Sequence, residues 1–168
     1  MISLCCSRVV RSRLGVAIRP PAAPEPTTRL GNWYVHLVRL GPQQVVLATS
    51  ERSLLTVVLP ARALRTTIEG NLRIAVGELL SALNVPAEIV SREVKEMRQV
   101  QIAPATNRRV LGSLNELAFH LGVRRDQFSD PLQMALSLSG IPMSAVGSKS
   151  HYGIPREVAL SLLLSNAN

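Results

Sequence analysis

The chain has 168 residues, 46% apolar and 18% charged, which suits one domain with its own core. Aromatics make up only 3%, so Leu, Val, Ile and Ala must fill that core, and no apolar run approaches the roughly 18–20 residues of a membrane span. Net charge is +8, and 17 of the 19 basic residues are arginine; this points to an anionic partner or, since the arginines are scattered, to codon bias in a GC-rich genome.

The opening MISLCCSRVV reads as a strand running into a short helix. The first 24 residues carry Arg8, Arg11, Arg13 and Arg19 and no acid, a composition that a mitochondrial transit peptide shares. Cys5 and Cys6 are adjacent, which allows at best a strained bridge, and no CxxC pair or neighbouring His completes a metal set. Reduced thiols in the cytoplasm are the simple expectation. PPAAPEPTT, 20–28, is Pro-rich and predicts an extended, mobile connector within a single domain spanning 1–168.

WYVHLVRL, the turn at Gly41-Pro42 and QVVLATS predict a β-hairpin, and SLLTVVLP, 53–60, a third strand stopped by Pro60. The period then becomes helical at Leu72, Ala75, Val76, Leu79, Leu80 and Leu83. Asn84 closes that helix, and Pro86 opens another over about 86–98. The second helix turns Ile89, Val90, Val94 and Met97 inward and Arg92, Glu93, Lys95 and Glu96 to solvent. QVQIA, 99–103, reads as a fourth strand paired with the meander. Further helices are expected over roughly 114–121, from Asp130-Pro131 through Leu138, and from Pro155 with Val158, Leu160, Leu162 and Leu163 on one side. Strands first and helices later predict an α+β fold: a small, mostly antiparallel sheet with four to five helices packed on one face.

The sharpest local signal is ATNRRVLGSLNELAF, 105–119. Ser113-Leu-Asn-Glu116 fits a capping box, which places a helix N-terminus at Ser113. Free amides and the helix dipole there favour an anion, and Arg108 and Arg109 supply charge and fork geometry. Asn107, Arg108, Arg109, Gly112 and Ser113 thus form a candidate phosphate site. The competing reading is structural: the box consumes some amides, Glu116 brings negative charge, and arginines on an extended stretch point apart.

Trp33 and Tyr34, near Arg29 and Arg39, offer either a base-stacking platform or core packing. His36, His120 and His151 sit in no metal-binding spacing, so neither metal nor cofactor is expected. A Cys5 nucleophile served by His36 or His151 has no sequence support. The few carboxylates, Glu51, Asp126 and Asp130 among them, fit turns, caps and ion pairs better than general acid–base work. No P-loop or GxGxxG is present.

The order of motifs resembles a bacterial domain-of-unknown-function family, six-nine-three-three. Its pattern runs W-Y-x-N-L at the hairpin and N-R-S-V-L-G-S-[LM]-N before the helix. MALSLSGIPMS and HYGIPREVALSLL near the end are also similar, so the resemblance is almost full length. His36 stands where that pattern has Asn, and Arg109 where it has Ser. The resemblance implies fold and length but no activity. The leading expectation is a non-enzymatic cytoplasmic binding domain that contacts RNA or DNA through its basic surface, without membrane contact. The alternatives are a small enzyme holding a phosphorylated ligand at Ser113, and a protein-interaction module of a regulatory or toxin–antitoxin pair using the C-terminal helix.

Overall fold

The computed structural model describes residues 1–16, 21–128, 130–147 and 152–165. Strands β1 (Ile2–Cys6), β2 (Trp33–Leu40), β3 (Gln43–Ser50), β4 (Thr56–Pro60) and β5 (Val100–Pro104) form one sheet in the order β4-β3-β2-β1-β5. The hairpin β2–β3 is antiparallel and fully paired from Trp33↔Ser50 to Leu40↔Gln43. Gly41, at φ 60, makes the two-residue turn with Pro42, a conformation that glycine adopts without strain. β4 continues the meander.

The remaining pairings correct the expected topology. β1 runs parallel to both β2 and β5, so the sheet is mixed rather than mostly antiparallel. β5 pairs with β1, not with the meander. The cause lies in β1: ISLCC, apolar but for Ser3, is buried at every position. Such a strand belongs inside a sheet covered on both sides.

Both faces are indeed covered, which corrects the one-sided packing. One face carries Leu4, Cys6, Trp33, Val35, Ala48 and Val57. Against it pack α1 (Arg8–Arg13), α2 (Ile68–Ala82), α3 (Ala87–Glu96), α5 (Pro131–Ser139) and α6 (Pro155–Leu164), with Val10, Val76, Ile89, Ala135 and Ala159 turned inward. The other face carries Cys5, Tyr34, Leu47, Val58 and Ala103 beneath α4 (Arg108–Arg124). Helix ends follow familiar chemistry. Asp130 Oδ1 accepts from the Gln133 amide at 2.9 Å ahead of Pro131. Asn84, just past α2, takes φ 59, which Asn tolerates at a helix end.

Two surface expectations change. Residues 21–28 fold across the sheet as a strap instead of a mobile linker. Thr27 N donates to the Met1 carbonyl at 3.0 Å, Gln101 Nε2 to the Ala22 carbonyl at 3.3 Å, and Arg52 Nη2 meets Glu25 Oε1 at 2.8 Å. Glu93, expected in solvent, is 4% exposed. Its carboxylate accepts from the amides of Leu30 (2.9 Å) and Arg29 (3.0 Å), pinning the turn that enters β2. Burial pushes its pKa up, and those two donors pull it partly back.

Candidate functional site

The conspicuous motif begins a helix, but not at Ser113. α4 starts at Arg108, and Asn107 caps it: its Oδ1 accepts from the amides of Arg109 (3.1 Å) and Val110 (3.4 Å). Ser113 lies inside the helix, is 4% exposed, and donates to the Arg109 carbonyl at 3.0 Å. The capping box at Ser113 and Glu116 is therefore corrected. The helical period begins at Val110, which is buried with Leu114, Leu117 and Leu121, so starting at 108 buries one more apolar side chain. Gly112 is exposed within the same helix, and its amide and that of Ser113 are interior rather than terminal. The helix terminus expected at Ser113 thus lies at Arg108 instead.

Arg108 and Arg109 occupy the first turn itself, both exposed, and that turn has no acid. Arg109 Nη2 reaches the Glu51 carbonyl at 3.5 Å, so its guanidinium lies over the end of β3.

Beside this helix start opens a cleft of about 420 Å³. The strap forms one wall with Pro24, Glu25 and Pro26; Asn32, Tyr34, Glu51 and Arg52 line it from the sheet, and Pro104 and Thr106 from the end of β5. Its polar groups are tied together. Asn32 Oδ1 accepts from the Ser3 amide at 2.8 Å, while Asn32 Nδ2 donates to Glu51 Oε2 at 3.3 Å. The Tyr34 hydroxyl lies close to the Cys5 thiol and the Asn107 backbone. Burial pushes the Cys5 and Cys6 thiols up to about 12, so both are protonated at neutral pH and neither is an activated nucleophile. Burial also raises the Tyr34 phenol.

The stacking platform is corrected too. Trp33 is fully buried and Tyr34 is 3% exposed, and they point to opposite faces of the sheet. Adjacent strand residues alternate faces, and with so few aromatics both are drawn into packing. His36 is half-buried, with Nδ1 lacking a partner among the described residues, and burial lowers its basicity. His120 meets Phe119 edge-on at 6.0 Å. His151 lies outside the described residues. Among the described residues no cluster of three or more His, Cys, Asp or Glu is placed to hold a metal. Likewise, no helix among them is long and apolar enough to cross a membrane. On α6, Ala159 and Leu163 turn into the core, while Leu164 is exposed.

The structure thus unites Asn107 and Arg109 with Asn32 and Glu51, a grouping that sequence reasoning does not single out. The missing signal is the parallel pairing of β1 with β2, which sets Ser3 and Cys5 beside Asn32 and Tyr34. No curated protein matches the chain. Over residues 3–158, nearly its whole length, it matches one family, and the chain belongs to it: the domain of unknown function DUF6933.

Proposed function

We propose that this protein is a non-enzymatic binding protein of the cytoplasm whose partner is a polyanion, RNA or DNA, with Arg108 and Arg109 contacting phosphates. One observation carries the reading: two exposed arginines fill the first turn of a long helix that has no acid there. A cation at that end opposes the helix dipole and costs about 0.3–1 kcal/mol. A phosphate reverses the balance, because the helix dipole and the guanidinium forks then act together. Net charge of +8 adds a long-range attraction.

Fluorescence anisotropy of labelled RNA and DNA oligomers across a salt series tests this. Binding should be tight at low salt and weaken steeply as salt rises. An Arg108→Ala, Arg109→Ala double variant should bind more weakly and show a shallower salt slope, by about 0.7–0.9 for each phosphate that it no longer neutralises. No binding at low salt overturns the reading. A protein partner on α6 is the second reading, favoured by exposed Leu164 beside half-buried Val158, Leu160 and Leu162.

A further inference from the structure

The cleft next to the α4 N-terminus has a carboxylate that the fold uses only in part. Glu51 lines the cleft, and its Oε2 accepts from Asn32 Nδ2 at 3.3 Å. Neither Arg52 nor Arg109 forms an ion pair with that carboxylate. Arg52 Nη2 pairs with Glu25, its Nη1 donates to the Thr28 carbonyl at 3.2 Å, and Arg109 Nη2 lies on the backbone carbonyl of Glu51. Among the described residues, no cation pairs with the Glu51 carboxylate. A half-buried carboxylate left this way suits a ligand that brings N–H donors.

We infer that the cleft takes the guanine base of a nucleotide whose phosphate lies on Arg108 and Arg109; the inference rests on the polyanion reading above. Guanine has two adjacent N–H donors, N1–H and N2–H, on its Watson–Crick edge, spaced to meet the two oxygens of a carboxylate. Adenine and cytosine place a ring acceptor beside their amino group, which a carboxylate repels, and uracil flanks its single N–H with carbonyls. Each carboxylate oxygen has two lone pairs, so the Asn32 contact leaves room for both bonds. Pro24, Pro26 and Pro104 add apolar ring surface to an otherwise mainly polar lining. The volume of about 420 Å³ falls within the range of small-molecule clefts. Arg109, whose Nη2 reaches the Glu51 carbonyl at 3.5 Å, brings a phosphate contact next to the same residue. This is how single-stranded RNA is read: a splayed base on its Watson–Crick edge, the backbone on arginine.

The test uses labelled single-stranded oligouridine in three forms: unaltered, with a single guanine at its centre, and with inosine there instead. Inosine keeps N1–H and lacks the 2-amino group. Anisotropy at low salt should show guanine tightening binding about tenfold over uracil, the lower part of what a bidentate base contact gives, with inosine losing most of that gain. In Glu51→Gln the ratio of guanine to uracil affinity should fall to near one. That near-isosteric variant keeps an acceptor for Asn32, and its melting temperature reports on its fold. The wild-type comparison of the three strands needs no variant at all. Salt-sensitive binding that is equal for all three strands overturns the guanine inference and leaves the phosphate reading intact. If no oligomer binds, the phosphate reading fails, and calorimetry with guanosine and adenosine monophosphates decides the cleft alone. Selective guanosine binding that disappears in Glu51→Gln upholds it; equal or absent binding overturns it.

Discussion

His36 shows what burial does to a titratable side chain that the fold leaves without a partner. It lies mid-strand in β2 opposite Leu47, half-buried, with Nδ1 unbonded among the described residues. Charging the ring there costs desolvation, so its basicity lies below the ordinary 6.5. The unfolded chain then binds a proton more readily than the folded one. Stability from this group is complete above pH 6.5 and drains away as pH falls from there toward the depressed native value. Urea unfolding on either side of pH 6.5 should therefore show wild type losing more stability on acidification than His36→Leu, which cannot titrate. Equal losses would exclude His36 as the source. Glu93 makes the complementary case, a buried group that the fold does use. Its two oxygens each accept a backbone amide, from Leu30 and Arg29. Glu93→Gln replaces one acceptor with an NH₂ group facing a donor, and should cost about 1–3 kcal/mol in denaturant unfolding. A near-neutral result would mean that water replaces the missing acceptor.

At the scale of elements, most of the secondary structure is legible in the sequence because periodicity and punctuation agree. The hairpin, the α2–α3 pair and the Asp130-Pro131 start all carry both signals. The start of α4 is not legible, because two competent caps stand six residues apart and a local pattern does not rank them. Packing does: a start at Arg108 brings buried Val110 into the helix. The two positions separate by mutation. Asn107→Ala removes the oxygen that accepts from Arg109 and Val110, and should destabilise by about 1 kcal/mol. Ser113→Ala removes only a bond to a helix carbonyl and gains helix propensity, so it should stay within about 0.5 kcal/mol of wild type. Chemical denaturation of both variants checks the order. The reverse ranking would return the cap to Ser113.

For the whole molecule, what the sequence hides is long-range. The hairpin alone sets Asn32 beside Glu51, but nothing local in ISLCC or VQIAP says which strands they neighbour, and without those pairings the strap and the end of β5 do not join the two residues. Charge, by contrast, is legible from composition, and its consequence is global. A net +8 is spread over a surface where the described residues show two ion pairs, Arg52–Glu25 and the N-terminus with Glu96. Both are exposed and individually worth little. A net charge this far from zero adds self-repulsion among the arginines, and it acts over distances that salt screens: the Debye length falls from about 10 Å at 0.1 M to about 3 Å at 1 M. Added sodium chloride should therefore raise the melting temperature, by about 2–4 °C for each kcal/mol of repulsion removed in a chain of this size. The same salt should weaken polyanion binding, so the two responses run in opposite directions in one titration. That opposition separates screening from denaturation, since a chain that released its ligand by unfolding would melt lower in salt. If instead the melting temperature falls with salt, attractive ion pairs dominate the surface and the arginines are already neutralised within the fold.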